Sequence, residues 1–88
     1  MKKKGYNMDN EKNYWELIGT RDIISKKTGK RYQKAIFYNE YYLDTITYFA
    51  EYTDKNADKL NDLNRSEVGA MFCLNFNRAG KIVDFEIV

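Results

Sequence analysis

The sequence predicts one small, mostly β (α+β) domain made of five strands and one short helix. Three observations predict it. Val68, Ala70, Phe72, Leu74 and Phe76 alternate with Gly69, Met71, Cys73 and Asn75; after an NRAGK turn, Val83, Phe85 and Ile87 alternate with Asp84 and Glu86. Period-two alternation on both sides of a glycine turn is a hairpin signal. A second pair of β-rich runs, YWELIGTRDIIS and RYQKAIFYN, flanks the turn KKTGK. Between the hairpins, EYTDKNADKLNDL places Ala57, Leu60 and Leu63 on one helical face. A chain of 88 residues has room for one core, not two.

Taken in order, residues 1–12 hold little that is apolar beyond Met1, Tyr6 and Met8, so a flexible N-terminal arm is expected there and the folded domain over 13–88. Aromatic and β-branched residues from Tyr14 give strand one, and Gly19 within it predicts a bulge or bend. Gly29 supplies the positive φ of the turn, and RYQKAIFYN returns as strand two. The stretch YYLDTITYF, residues 41–49, reads two ways. Its Tyr, Thr, Ile and Phe content favours a third strand. Leu43, Ile46 and Ala50 also extend the stripe of the following helix backwards, which would give β-β-α-β-β, a helix on a four-stranded antiparallel sheet. With the strand reading the order is β-β-β-α-β-β, and the helix starts near Thr53 as N-cap. The alternation also predicts a core of Phe72, Leu74, Phe76, Val83, Phe85 and Ile87.

Composition narrows the function. The chain contains no His, so the usual general base near neutral pH is missing. Cys73 is the only cysteine, which excludes an intrachain disulfide and fits a reducing compartment. It lies in an apolar strand without an activating neighbour in sequence, and no Cys/His set exists to hold zinc. TGK at 28–30 lacks the spacing of a phosphate-binding loop. No catalysis, cofactor or metal is therefore expected. No apolar run reaches the ~20 residues that span a bilayer. The basic start MKKKG has no apolar stretch behind it, so no secretory signal is expected and the expected location is the cytoplasm. Net charge is only +2, so any basic surface must be local.

The order β-β-β-α-β-β resembles the OB-fold, a small five-stranded Greek-key barrel. The chain resembles the small single-stranded-DNA-binding proteins of that fold in LIGTRDIISKKTGKRYQKAIFY, in LNRSEVGAMFCLNF and in NRAGKIVDFEIV. These are a bent strand with an early Gly leading through a basic turn to an aromatic return strand, a helix end leading into a strand start, and a final hairpin. The resemblance implies an OB-like barrel over residues 13–88 with its one helix between strands three and four. It implies non-catalytic binding of single-stranded DNA or RNA, in the replication or transfer of a bacterial mobile element or phage. Proteins of this family usually carry an acidic tail that recruits other replication proteins. This sequence stops at Val88, and recruitment is expected to be absent or to use another surface.

The candidate contacts follow. Lys26, Lys27, Lys30, Arg31 and Lys34 fall within nine positions with no acid among them, a charge that would track phosphates. Tyr32, Tyr38 and Trp15 are the candidate stacking rings. The plain alternatives stay open: a lysine-rich turn is also an ordinary solvated tip, and a lone Trp at a strand start is more often packing. Tyr38, Tyr41, Tyr42 and Tyr48 cannot all point inward on alternating strands, so some face solvent or a partner. The acids Glu51, Asp54, Asp58, Asp62 and Glu67 give the helix region an acidic side, which reads most simply as a solvated face. The rival reading is a phage or plasmid module that uses exposed tyrosines and a strand edge to inhibit or recruit a host or element-encoded protein.

Overall fold

The computed structural model describes residues 13–88; the expected arm over 1–12 lies outside the described residues. The elements are β1 (Tyr14–Ile24), β2 (Arg31–Asn39), β3 (Asp44–Glu51), α1 (Ala57–Arg65), β4 (Met71–Phe76) and β5 (Ile82–Ile87). They form one antiparallel sheet in the order β3-β2-β1-β4-β5. The strand reading of the middle segment holds, with its start moved from Tyr41 to Asp44. The reason is local. Buried Asn39 accepts a hydrogen bond from the Tyr42 N–H (2.9 Å) and donates to the Tyr14 carbonyl (3.3 Å), which holds residues 40–43 in a turn. Leu43 takes a φ of 55°, a left-handed backbone that a bulky residue rarely adopts.

The bulge expected at Gly19 is present: β1 pairs Leu17 with Phe37, then Gly19 with Ile36, leaving Ile18 unpaired. β1 is an inner strand paired on both edges, and Glu16 pairs with Tyr38 on β2 and with Met71 on β4. The helix proper starts at Ala57, four residues after Thr53. Thr53 and Asn56 nonetheless exchange hydrogen bonds, each side-chain oxygen accepting from the other's N–H (3.3 and 2.7 Å), and close a turn ahead of the helix. Leu60 and Leu63 are fully buried. They cover the inner face of the sheet together with Leu17, Phe37, Phe72, Leu74 and Phe85. The Phe37, Phe72 and Phe85 rings meet edge to face at centroid distances of 5.3 and 6.0 Å.

The expected core needs correction at its ends. Phe72, Leu74 and Phe85 are buried, but Phe76, Val83 and Ile87 are 39%, 59% and 62% exposed. β4 and β5 pair Asn75 with Asp84, then Phe76 with Ile82, so Val83 is an extra residue that breaks the alternation.

Closure into a barrel is corrected as well: the sheet is open. Among the described residues no ladder joins β3 to β5, although Tyr48 of β3 touches Phe85 of β5 at 5.4 Å between ring centroids. Side chains hold the place that a ladder would take. Antiparallel partners bond at every second residue. The Val88 N–H to Met71 carbonyl bond sets this phase, so Phe85 turns its N–H and C=O away from β4. Lys59 donates to the Phe85 carbonyl (3.2 Å) and pairs with Asp84. No helix of the described residues is long and apolar enough to cross a membrane.

Candidate nucleic-acid interface

Strand phase decides which side chains share the outer face. On β2, Gln33, Ala35, Phe37 and Asn39 are buried, so Tyr32, Lys34, Ile36 and Tyr38 point outward. Residues opposite one another in a ladder share a face. Lys34 lies between Arg21 of β1 and Phe49 of β3, and Tyr32 lies between Ile23 and Glu51. The result is a row across three strands, Arg21–Lys34–Phe49, with Tyr32 beside it. Tyr32 and Phe49 stack at 5.1 Å with their planes 16° apart, and Phe49 is 55% exposed. A shallow depression lined by Gly19, Arg21, Ile23, Lys34 and Ile36 runs next to them. Arg21 and Lys34 form no ion pair among the described residues.

The basic turn is held firmly. Ser25 and Lys30 close it backbone to backbone (2.9 Å), Gly29 takes a φ of 74°, and the Ser25 and Thr28 hydroxyls accept the Thr28 and Lys30 N–H groups. Lys26 and Lys27 stand exposed on it. Lys30 lies 3.8 Å from the Glu51 carboxylate. Arg31, expected as a phosphate contact, already has an acidic partner. It bonds Asp22 at 2.8 Å and lies 3.9 Å above the Tyr52 ring. The hydrogen bond from Arg31 holds the Asp22 carboxyl below its ordinary value, helped by Tyr52, whose hydroxyl donates to it at 2.9 Å. The cluster has no acid in sequence, but register brings Asp22 and Glu51 to it.

The expected rings separate. Tyr32 joins the cationic row. Tyr38 shares the face but pairs with Glu16 and Thr45, six residues along the strand and about 20 Å from Tyr32. Trp15 is corrected: it is 7% exposed, packed in the core and tilted against Phe76, so it offers no open ring. Tyr48 packs inward on Phe85, and Tyr41 and Tyr42 stand exposed at the β2–β3 turn, edge to face at 5.0 Å.

Sequence reasoning missed Arg21, Phe49 and Lys81. Arg21 and Phe49 become outward-facing only once the bulge and the start of β3 are known. Lys81 is distant in sequence, yet with Gly80 it lines a cleft against Thr47 and Phe49. Burial pushes the Cys73 thiol up, with Glu86 adding to the effect, which disfavours the thiolate. In comparisons with family models, curated proteins and solved structures, no match to this chain was found.

Proposed function

We propose that this chain binds single-stranded nucleic acid, without catalysis, across the outer face of β1, β2 and β3. The observation that carries the reading is the Arg21–Lys34–Phe49 row beside Tyr32. It sets cations with no ion-pair partner among the described residues next to an exposed, pre-stacked ring pair. Phosphates need fixed positive charge and unpaired bases need flat rings, and a solvated tip needs only the first. Lys26 and Lys27 extend the charge from the turn. The OB-like reading agrees with this placement, since such folds bind along strands two and three between the first and last hairpin loops. The sheet here is open, and among the described residues β3 meets β5 only through side chains, Tyr48 against Phe85. The setting proposed is the cytoplasmic replication or transfer of a mobile element or phage, with DNA as the first ligand to test and RNA as the second.

The test is fluorescence anisotropy with single- and double-stranded oligonucleotides at two salt concentrations. Single strands should bind, with a salt slope of about 0.7 per phosphate contact. No binding at low salt would sink the reading. One observation favours a second reading, in which Tyr41, Tyr42 and Leu43 form an apolar tip, held by buried Asn39, that docks on another protein. Binding through that tip would change little with salt.

A further inference from the structure

The gap between β3 and β5 holds hydrogen-bonding groups that the sheet does not use. The Tyr52 N–H bonds the Arg31 carbonyl, which fixes the phase of the β2–β3 ladder. Ala50, Tyr48 and Ile46 therefore bond to β2, and Phe49 and Thr47 turn their N–H and C=O groups outward, toward β5. Among the described residues no hydrogen bond reaches these outward groups. They differ in this from Phe85 across the gap, whose carbonyl is taken by Lys59. The cleft here is open, about 410 Å³, and is lined by Ile46, Thr47, Phe49, Gly80, Lys81 and Ile82. A small-molecule site falls in the range of about 300–1,000 Å³.

The chemistry of the cleft is specific. One face of the Phe49 ring is used by Tyr32, and more than half of the residue remains exposed. Donors and acceptors alternate along a strand edge. Lys81 stands at the rim without an ion pair among the described residues, and Gly80, at φ 82°, has no atom within 4 Å of where a Cβ would stand. A flat ring with a donor–acceptor edge and an attached phosphate matches all three features. We propose that this cleft takes one nucleobase of a bound single strand. The base stacks on Phe49, its pairing edge meets the free backbone groups of Thr47 and Phe49, and its phosphate lies at Lys81. The proposal rests on the outer-face binding argued above and adds to it that the protein reads base identity. A duplex hides that edge, so the cleft also selects single strands.

The test uses the 15N-labelled full chain and four 12-nucleotide DNA homopolymers, with ribo versions of the best and worst as a second arm. The Thr47 and Phe49 amide resonances should move on binding. The tightest and weakest homopolymers should differ by about three- to tenfold, as one or two net hydrogen bonds allow. Thr47→Pro removes a donor that no ladder uses, at a position where an edge strand tolerates proline. It should shrink that ratio to under about twofold, whereas Thr47→Val keeps the N–H and should keep the ratio. If Thr47→Pro does not fold, the wild-type amide shifts still decide. Equal affinity for all homopolymers, with the Thr47 and Phe49 amides unmoved and binding still dependent on Lys34 and Arg21, would overturn the base cleft and leave the outer face standing. Absence of any binding would take both down.

Discussion

The β1–β2 and β4–β5 hairpins both turn at a glycine of positive φ, Gly29 at 74° and Gly80 at 82°, and both contain a bulge. They differ in where the bulge falls. In the first it is at Ile18, ahead of the long paired stretch, and β2 keeps its phase from Gln33 to Asn39 with every inner residue buried. In the second it is at Val83, inside a six-residue strand, and only Phe85 is buried there. Ile87 has the inward phase and is still exposed, because it lies at the end of a strand on the border of the sheet. Alternation therefore identifies a strand, and the cover on either side of that strand decides which of its residues become core.

The largest effect that tests this contrast is in stability. Phe85→Ala should cost about 3–5 kcal/mol in urea unfolding, as for a buried ring, with Phe37→Ala in the same range. Val83→Ala, on the same strand as Phe85, should stay within about 0.5 kcal/mol. Equal losses at Phe85 and Val83 would mean that the strand keeps its alternation after all. Binding comes next. Phe49→Ala should weaken single-strand binding by about 1–3 kcal/mol with the salt slope nearly unchanged. The Arg21→Ala, Lys34→Ala double variant should flatten that slope by up to about 0.7 for each phosphate no longer neutralised. Arg31→Ala should leave the slope nearly unchanged, because Asp22 already engages that guanidinium. A slope that falls as much with Arg31 as with Lys34 would mean that Arg31 contacts phosphate despite its pair with Asp22.

The smallest effect is in acid. Asp22 and Asp84 are both held below the ordinary carboxylate value, the first by its hydrogen bond from Arg31 and the second by that from Lys59. Their folded-state values lie below the unfolded ones, so the stability they add is fully present above about pH 4 and fades as pH falls through the folded values. Asp22→Asn and Asp84→Asn should each lessen the loss of melting temperature between pH 5 and pH 2. One acid from each hairpin is tested, and an unequal response would rank the two anchors.

Much of the fold was legible because its signals are local. RYQKAIFYN is β2 to the residue, Gly19 marks the bulge, and Leu60 and Leu63 bury as their spacing requires. What was not legible depends on contacts between distant segments. Nothing near Val83 marks a bulge as Gly19 does. Asn39 shifts the start of β3 through a bond to Tyr14, 25 positions away. For the candidate site, the charge cluster and Tyr32 could be read directly. The neutralisation of Arg31 by Asp22, the burial of Trp15 and the arrival of Phe49 beside Lys34 required the register.

The side chains of Lys59 and Asp84 at Phe85 also bear on what happens between molecules. A bare strand border is a template on which a second chain can add, and repeated addition builds fibrils. With the Phe85 C=O already engaged by Lys59, and Lys59 paired with Asp84, that route is obstructed at the middle of the last strand. Protonation of Asp84 in strong acid would loosen the obstruction, and the same change would make concentrated solutions of this protein prone to self-association.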